Sequence, residues 1–138
     1  YFLTQEFRGR VRKHTDIDIA LSSYLPPFRP GTDYLDKMLA HILQTSQEIT
    51  NPISSAFYLL TRIAYLQPFQ DGNKRTSRAM CNVPLIKANL PPISFVDFAK
   101  KEYILSMLAF YELGDTQLAE SCFIDAYHKS IKRLIVSK

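Results

Sequence analysis

The run Gln67-Pro68-Phe69-Gln70-Asp71-Gly72-Asn73-Lys74-Arg75-Thr76-Ser77-Arg78 marks a junction between two helices and carries most of the chemistry in the chain. The residue ahead of a proline avoids the helical region, so a helix running into this segment must stop before Pro68. Gly72 lets a ligand approach the backbone closely. A helix restarting near Asn73 offers unpaired N–H groups and the positive end of its dipole, which together favour an anion. Arg75 and Arg78 lie three residues apart, so both reach from one face of the first turn. Guanidinium groups match phosphate oxygens in forked geometry. Asp71, at the mouth of the loop, suits Mg²⁺ through a single carboxylate, with water and phosphate filling the other positions. Cations, amides and a carboxylate on one turn therefore suit a metal-bound polyphosphate. The same letters also spell an ordinary turn followed by a helix cap. Against that plainer reading, basic residues in a first turn oppose the helix dipole unless an anion meets them.

Working outward, Asn51 and Pro52 supply a cap and a first-turn proline for the preceding helix. That helix carries Ile53, Ala56, Phe57, Leu60, Ile63 and Ala64 on one face. Before it, Thr32 or Asp33 can cap a helix with Leu35, Met38, Leu39, Ile42 and Leu43 at helical spacing. Earlier still, Asp16 to Leu25 alternates like a strand, and Ser22-Ser23 is a polar turn suited to a hairpin. Pro26-Pro27 ends that ladder, and Pro30-Gly31 marks a loop. Downstream, a helix is expected from Asn73 towards Asn89, kinked at Pro84. Asp97 to Leu113 reads as a helix closed by Gly114. Asp115 can cap a last helix with Leu118, Cys122, Ala126, Ile131 and Leu134 among its apolar positions. The prediction is a mainly α bundle of about five helices with one small β-hairpin.

The composition agrees with one folded domain: 46% of the 138 residues are hydrophobic and 22% charged, so disorder is not expected. No stretch approaches the ~20 apolar residues that span a bilayer, so no membrane is expected as a partner. Tyr1 to Arg12 lacks the apolar region of a secretory signal. The chain starts at Tyr1 and not at Met, which leaves room for a preceding segment. Its two cysteines, Cys81 and Cys122, are too few for a disulfide scaffold and read as buried thiols in a reducing compartment. A cytoplasmic location follows as the expectation, although delivery into a host cell would leave the same signature. The net charge of +4 is concentrated at Arg8, Arg10, Arg12 and Lys13 and at Lys129, Lys132, Arg133 and Lys138. Such clusters can meet an acidic partner or nucleic acid. No aromatic residues are interleaved with them, so a solvated arm and a basic helix end are the preferred reading.

The 67–78 run resembles the signature of the Fic (Fic/Doc) family, HPFx(D/E)GNGRxxR. Pro68, Phe69, Asp71, Gly72, Asn73, Arg75 and Arg78 match it. The likeness extends to Tyr24-Leu25-Pro26-Pro27 and to Asn89-Leu90-Pro91-Pro92-Ile93-Ser94-Phe95, so it covers roughly Arg8 to Tyr127. It implies a helical bundle with a hairpin flap beside the loop, and transfer of AMP from ATP to a hydroxyl side chain of a target protein. Residues 1–138 would form one such domain, with a basic arm over 1–15, the flap over 16–27 and the bundle over 32–138. By position, Asp71 would coordinate Mg²⁺. Gly72, Asn73 and Lys74 would supply the anion hole, Arg75 would bind the outer phosphates, and Arg78 would support the γ-phosphate or pair with an inhibitory glutamate. Phe69 would be a buried anchor. The flap residues Ile17, Asp18, Ile19, Ala20, Leu21, Ser22, Ser23, Tyr24 and Leu25 would pair with an extended segment of the target by strand addition.

Two positions depart from that pattern. Gln67 stands where the family has the histidine that removes the proton from the attacking hydroxyl. An amide forms hydrogen bonds but does not act as a base at neutral pH, so an inactive or strongly impaired transferase is expected. His14, His41 and His128 are the other histidines, and only His14 lies near the flap. Lys74 replaces the second signature glycine. A lysine here resembles some Fic relatives and also the Doc toxins, which phosphorylate their targets, but Gly72 and the long flap favour adenylyltransferase ancestry. Thr116 and Glu120 have the spacing of the family's inhibitory helix, yet Ser121 follows where Gly or Asn belongs. An inhibitory segment or antitoxin-like chain would have to come from elsewhere. The alternatives are a pseudoenzyme that binds nucleotide or protein, and a Doc-like kinase.

Overall fold

A computed structural model describes residues 10–13 and 24–136. Five α-helices are found among them: α1 (Tyr34–Glu48), α2 (Pro52–Leu66), α3 (Asn73–Lys87), α4 (Lys100–Leu113) and α5 (Gln117–Val136). A short 3₁₀ turn, Phe95–Asp97, precedes α4. No helix among the described residues is long and apolar enough to cross a membrane. The mainly α expectation holds. The core of the expected flap, Ile17 to Ser23, lies outside the described residues, as does His14. Tyr24 to Pro27, at its far end, have no regular structure.

The bundle is organised around α2. Its buried residues run almost all the way round: Ser55, Ala56, Leu59, Leu60, Thr61, Ile63, Ala64 and Leu66. A helix apolar on all sides belongs at the centre of a fold. Ala56 and Leu60 join Cys81, Leu85, Phe123 and Tyr127 of α3 and α5. Leu59, Ile63 and Leu66 meet Leu35 and Ile42 of α1. Ala64 meets Met107, Phe110 and Ala119 of α4 and α5. Three clusters thus share one helix, and each fully buried leucine contributes about 1.5–3 kcal/mol.

The helix ends follow local chemistry. Asn51 caps α2, its Oδ1 accepting from the Ile53 and Ser54 amides at 2.9 and 3.2 Å. Asp115 Oδ1 accepts from Gln117 N at the start of α5. Helix α3 passes through Pro84 and stops at Lys87, two residues short of the expected Asn89. Asn89 takes the left-handed conformation, with Asn89 N donating to Ile86 O and Leu90 N to Leu85 O. That is a Schellman ending, in which Asn stands where glycine is commonest. Gly114, also left-handed, closes α4 as expected.

Two expectations are corrected. Asp97 does not open α4, which starts three residues later at Lys100. Its carboxylate instead accepts from the Ser130 hydroxyl and pairs with Arg133, tying the 3₁₀ turn to α5. The buried stripe of α5 is Ala119, Phe123, Ala126, Tyr127 and Ser130, which leaves Leu118 and Leu134 exposed. The two thiols divide: Cys81 is buried and Cys122 is half-buried, and both are free. Burial pushes the Cys81 thiol up to about 12, against the opposing charge of Arg78.

Candidate nucleotide-phosphate site

The loop between α2 and α3 is held by an unusually complete set of bonds. The last four carbonyls of a helix have no intrahelical partner. In α2 all four are satisfied. Gln67 N donates to Ile63 O at 3.0 Å, and Gln67 Nε2 donates to Ala64 O at 2.8 Å. The Tyr24 hydroxyl donates to Tyr65 O at 2.8 Å. Arg12 Nη2 donates to Leu66 O at 3.3 Å. Arg12 continues along the chain, its Nε donating to Gln67 O at 2.6 Å and its backbone N to Pro68 O at 2.8 Å. Val11 and Phe69 form a short antiparallel bridge beside this bond. Tyr24 is further held by stacking on Tyr111 and tilting against Tyr65, with ring centres 5.1 and 5.0 Å apart. Burial there, ahead of the bond at Tyr65, raises its hydroxyl pKa far above the ordinary tyrosine value.

Gln67 adopts the left-handed conformation, φ 47° and ψ 58°. For a residue with a side chain this costs about 1–2 kcal/mol, so its surroundings must impose it. Its side chain bridges the two helices: Nε2 binds the end of α2, and Oε1 accepts from Asn73 Nδ2 at 3.1 Å. Asn73 is 5% exposed and closes the loop on itself. Its Oδ1 accepts from Phe69 N and its Nδ2 donates to Phe69 O, both at 2.8 Å. Pro68 is fully buried while Phe69 is only half-buried, so the proline is the deeper anchor.

Past the loop the bonding stops. Gly72 is the N-cap of α3 and has no side chain to offer, so no cap hydrogen bond forms. Its φ of 78° is left-handed, which favours glycine there. The first turn holds no acidic residue, and Lys74 and Arg75 are both exposed. The Arg75 guanidinium lies over Gly72: a Cβ there would stand 3.6 Å from Arg75 Nη2. Asp71, just ahead, is exposed. Arg78 turns towards an aromatic shelf, its guanidinium carbon 4.8 Å from the centre of the Phe95 ring and 5.8 Å from that of Tyr103. Its buried Nε has no hydrogen-bond partner. Burial pushes the Tyr103 hydroxyl up to about 12, with Arg78 opposing. The Lys74 pKa is lowered, first by partial burial and then by repulsion from Arg78 and from Lys100 at the start of α4. Lys74 and Arg75 thus stand in the first turn of an uncapped helix, with Arg78 one turn further on.

The signature residues therefore divide by task. Gln67 and Asn73 are linked and close the loop. Arg75 reaches over Gly72 at the uncapped start of α3. Arg78 and Lys74 are neighbours further along, and Asp71 stands at the mouth. Of the target-pairing residues Ile17 to Leu25, only Tyr24, anchored, and Leu25, 78% exposed, are described. His41 and His128 are exposed on α1 and α5. No group of three or more His, Cys, Asp or Glu suited to a metal occurs among the described residues. A groove of about 440 Å³ lined by Leu43, Leu59, Met80 and Pro84 lies away from the loop, since no residue of 67–78 lines it. Sequence reasoning missed Arg12, Phe95 and Tyr103. Nothing local distinguishes Arg12 from its basic neighbours, for its partners lie about 55 residues away.

The Fic/DOC family model matches residues 2–85. The chain is 32% identical over 89 residues to a protein adenylyltransferase Fic of Nematostella vectensis, covering 62% of this chain and 19% of that protein. It is 26% identical over 108 residues to one from Drosophila grimshawi, covering 71% and 22%. It is 27% identical over 96 residues to one from Drosophila mojavensis, covering 69% and 18%. The chain spans about a fifth of the length of these curated relatives. A match over more than half of its residues, with the signature loop at the junction of α2 and α3, makes the chain a member of the Fic/DOC family.

Proposed function

We propose that this domain holds the phosphates of Mg-ATP at Asp71–Arg78 and is built on a scaffold for AMP transfer whose proton-accepting position is disabled. The observation that carries the reading is the start of α3: an uncapped, acid-free turn with Arg75 over Gly72. Free amides and a helix dipole favour an anion there, and the cations around it need one. The chemistry of the donors also fits the metal. Asp71 is exposed beside the turn and no three-residue metal cluster competes among the described residues. Mg²⁺ held by one carboxylate, phosphate oxygens and water is the arrangement that ion favours. When bound, it would neutralise charge building on the departing phosphates.

In such a transfer a target hydroxyl oxygen attacks the α-phosphorus, the bond to the β-phosphate oxygen breaks, and pyrophosphate leaves. The hydroxyl proton must go to a base. Gln67 cannot accept it at neutral pH, and both ends of its amide are engaged, with Ala64 O and Asn73 Nδ2. Loss of a positioned base costs about 10²–10⁴ in rate. The amides of the first α3 turn and Lys74 would line the anion hole, Arg75 would take the outer phosphates, and Arg78 would support the γ-phosphate. The flap, Ile17 to Leu25, would receive the target's extended segment.

A second reading is favoured by the same Gln67 bonds: a binding module in which residue 67 braces the loop and does no chemistry. Label transfer from α- and γ-labelled ATP separates them, comparing this chain with Gln67→His in a cell extract with Mg²⁺. Label from α-ATP only in the histidine form is the expected result. Label from γ-ATP would indicate phosphoryl transfer instead, and no label in either form would favour the binding module.

A further inference from the structure

Arg75 and Arg78 lie three residues apart, yet the fold treats them differently. Arg75 is exposed and reaches over Gly72. Arg78 is half-buried and rests on rings, its guanidinium carbon 4.8 Å from the centre of Phe95 and 5.8 Å from that of Tyr103. No salt bridge found among the described residues includes it. The rings are themselves fixed. Phe95 stacks on Phe98, with centres 5.1 Å apart and planes 3° apart, and Phe98 meets Tyr103 edge-on at 4.7 Å. Phe98 belongs to the core cluster of Cys81, Leu85, Phe123 and Tyr127. The 3₁₀ turn that carries Phe95 is pinned to α5 by Asp97, through Ser130 and Arg133, and by the bond from Ser94 N to Ser130 Oγ at 2.9 Å. A helical side chain leans towards the helix N-terminus, so Arg78 covers the turn that opens α3. The Lys74 pKa, lowered first by partial burial and then by Arg78, agrees with that placement.

We propose that Phe95 and Tyr103 are positioning residues: their ring faces hold the Arg78 guanidinium ready for the terminal phosphate of a bound nucleotide, and this makes the site prefer a triphosphate to a diphosphate. The inference deepens the Mg-ATP reading above and rests on it. The chemistry suits the task. A carboxylate would also hold the guanidinium, but it would take up N–H donors and cancel the charge. A ring face attracts the cation through its quadrupole and leaves those donors to a ligand. An arginine already held in place loses less rotamer freedom on binding than an exposed one such as Arg75. A plainer role, in which the arginine stem only covers apolar surface, makes a different prediction. Leucine at position 95 would then serve as well as phenylalanine.

The test measures Kd by calorimetry on the full 138-residue chain, with Mg²⁺ and either a non-hydrolysable ATP analogue or ADP. Phe95→Leu should weaken binding of the ATP analogue about fivefold and leave that of ADP within about twofold. Phe95→Tyr keeps the ring and should keep the ratio of the two affinities. Val96→Ala, at the exposed neighbour, should change neither affinity. In an Arg78→Ala background, Phe95→Leu should move the ratio by less than about twofold, because the residue it positions is gone. An unchanged ratio in Phe95→Leu, or an equally large change in the Arg78→Ala background, overturns the proposal and leaves the nucleotide reading standing. Equal affinity of the unaltered chain for the two nucleotides overturns it as well. If the unaltered chain binds neither nucleotide, the Mg-ATP reading falls and takes the proposal with it. Should Phe95→Leu not fold, Tyr103→Leu carries the same comparison.

Discussion

Helices α2 and α3 have the same length and meet at one loop, yet they begin in opposite ways. At the start of α2, Asn51 covers two amides and Pro52 removes a third donor. At the start of α3, Gly72 covers nothing and the first turn adds Lys74 and Arg75, which oppose the dipole. The first arrangement is what stability alone would select. The second is destabilising unless something negative binds, which is the physical ground for proposing that this end is kept for a ligand. The end of α2 completes the contrast: its carbonyls are all taken, by Gln67, Tyr24 and Arg12. On the proposed function, the closed terminus serves geometry and the open one serves binding.

The comparison can be broken by substitution. The largest expected effect is at the junction itself. Gln67→His should raise AMP transfer by about 10²–10⁴, read as incorporation of α-label; an unchanged background would mean that the open end binds without supporting chemistry. Next comes the open end. Arg75→Ala should weaken Mg-ATP binding about 10- to 100-fold by calorimetry, as expected for losing charged hydrogen bonds. The closed end should behave in reverse. Asn51→Ala should lower stability by about 1 kcal/mol, a fall in Tm of about 4 °C, and leave nucleotide affinity unchanged. The smallest effect sharpens the contrast most. Arg75→Ala in the absence of nucleotide should stabilise the chain by about 0.3–1 kcal/mol in denaturant titration, because it removes a cation from a helix start. A loss of stability there would mean that Arg75 serves the fold.

Much of the architecture was legible because its causes are local. Asn51-Pro52, Gly114 and Asp115 stop or start helices by their own chemistry, and the 67–78 run is contiguous. What escaped depends on partners far along the chain. Asp97 looks like a helix cap until Arg133 and Ser130 are brought beside it by α5. Leu118 and Leu134 fit an apolar stripe by spacing, but the packing of α5 selects the stripe one residue on, from Ala119. Arg12 differs from Arg10 and Lys13 through carbonyls some 15 and 55 residues away. The aromatic shelf of Phe95 and Tyr103 under Arg78 likewise joins three separate stretches. The candidate site was therefore readable as a list of phosphate-binding residues, and not as the framework that aims them.

The most direct test of the central claim is calorimetric titration of the unaltered chain with Mg-ATP and, separately, with AMP. If the open start of α3 is a polyphosphate site, Mg-ATP binds at one site per chain and at least about tenfold more tightly than AMP, since Arg75 adds charged hydrogen bonds to the outer phosphates. Equal affinities, or no binding of Mg-ATP, would contradict the account and leave the uncapped turn without a ligand.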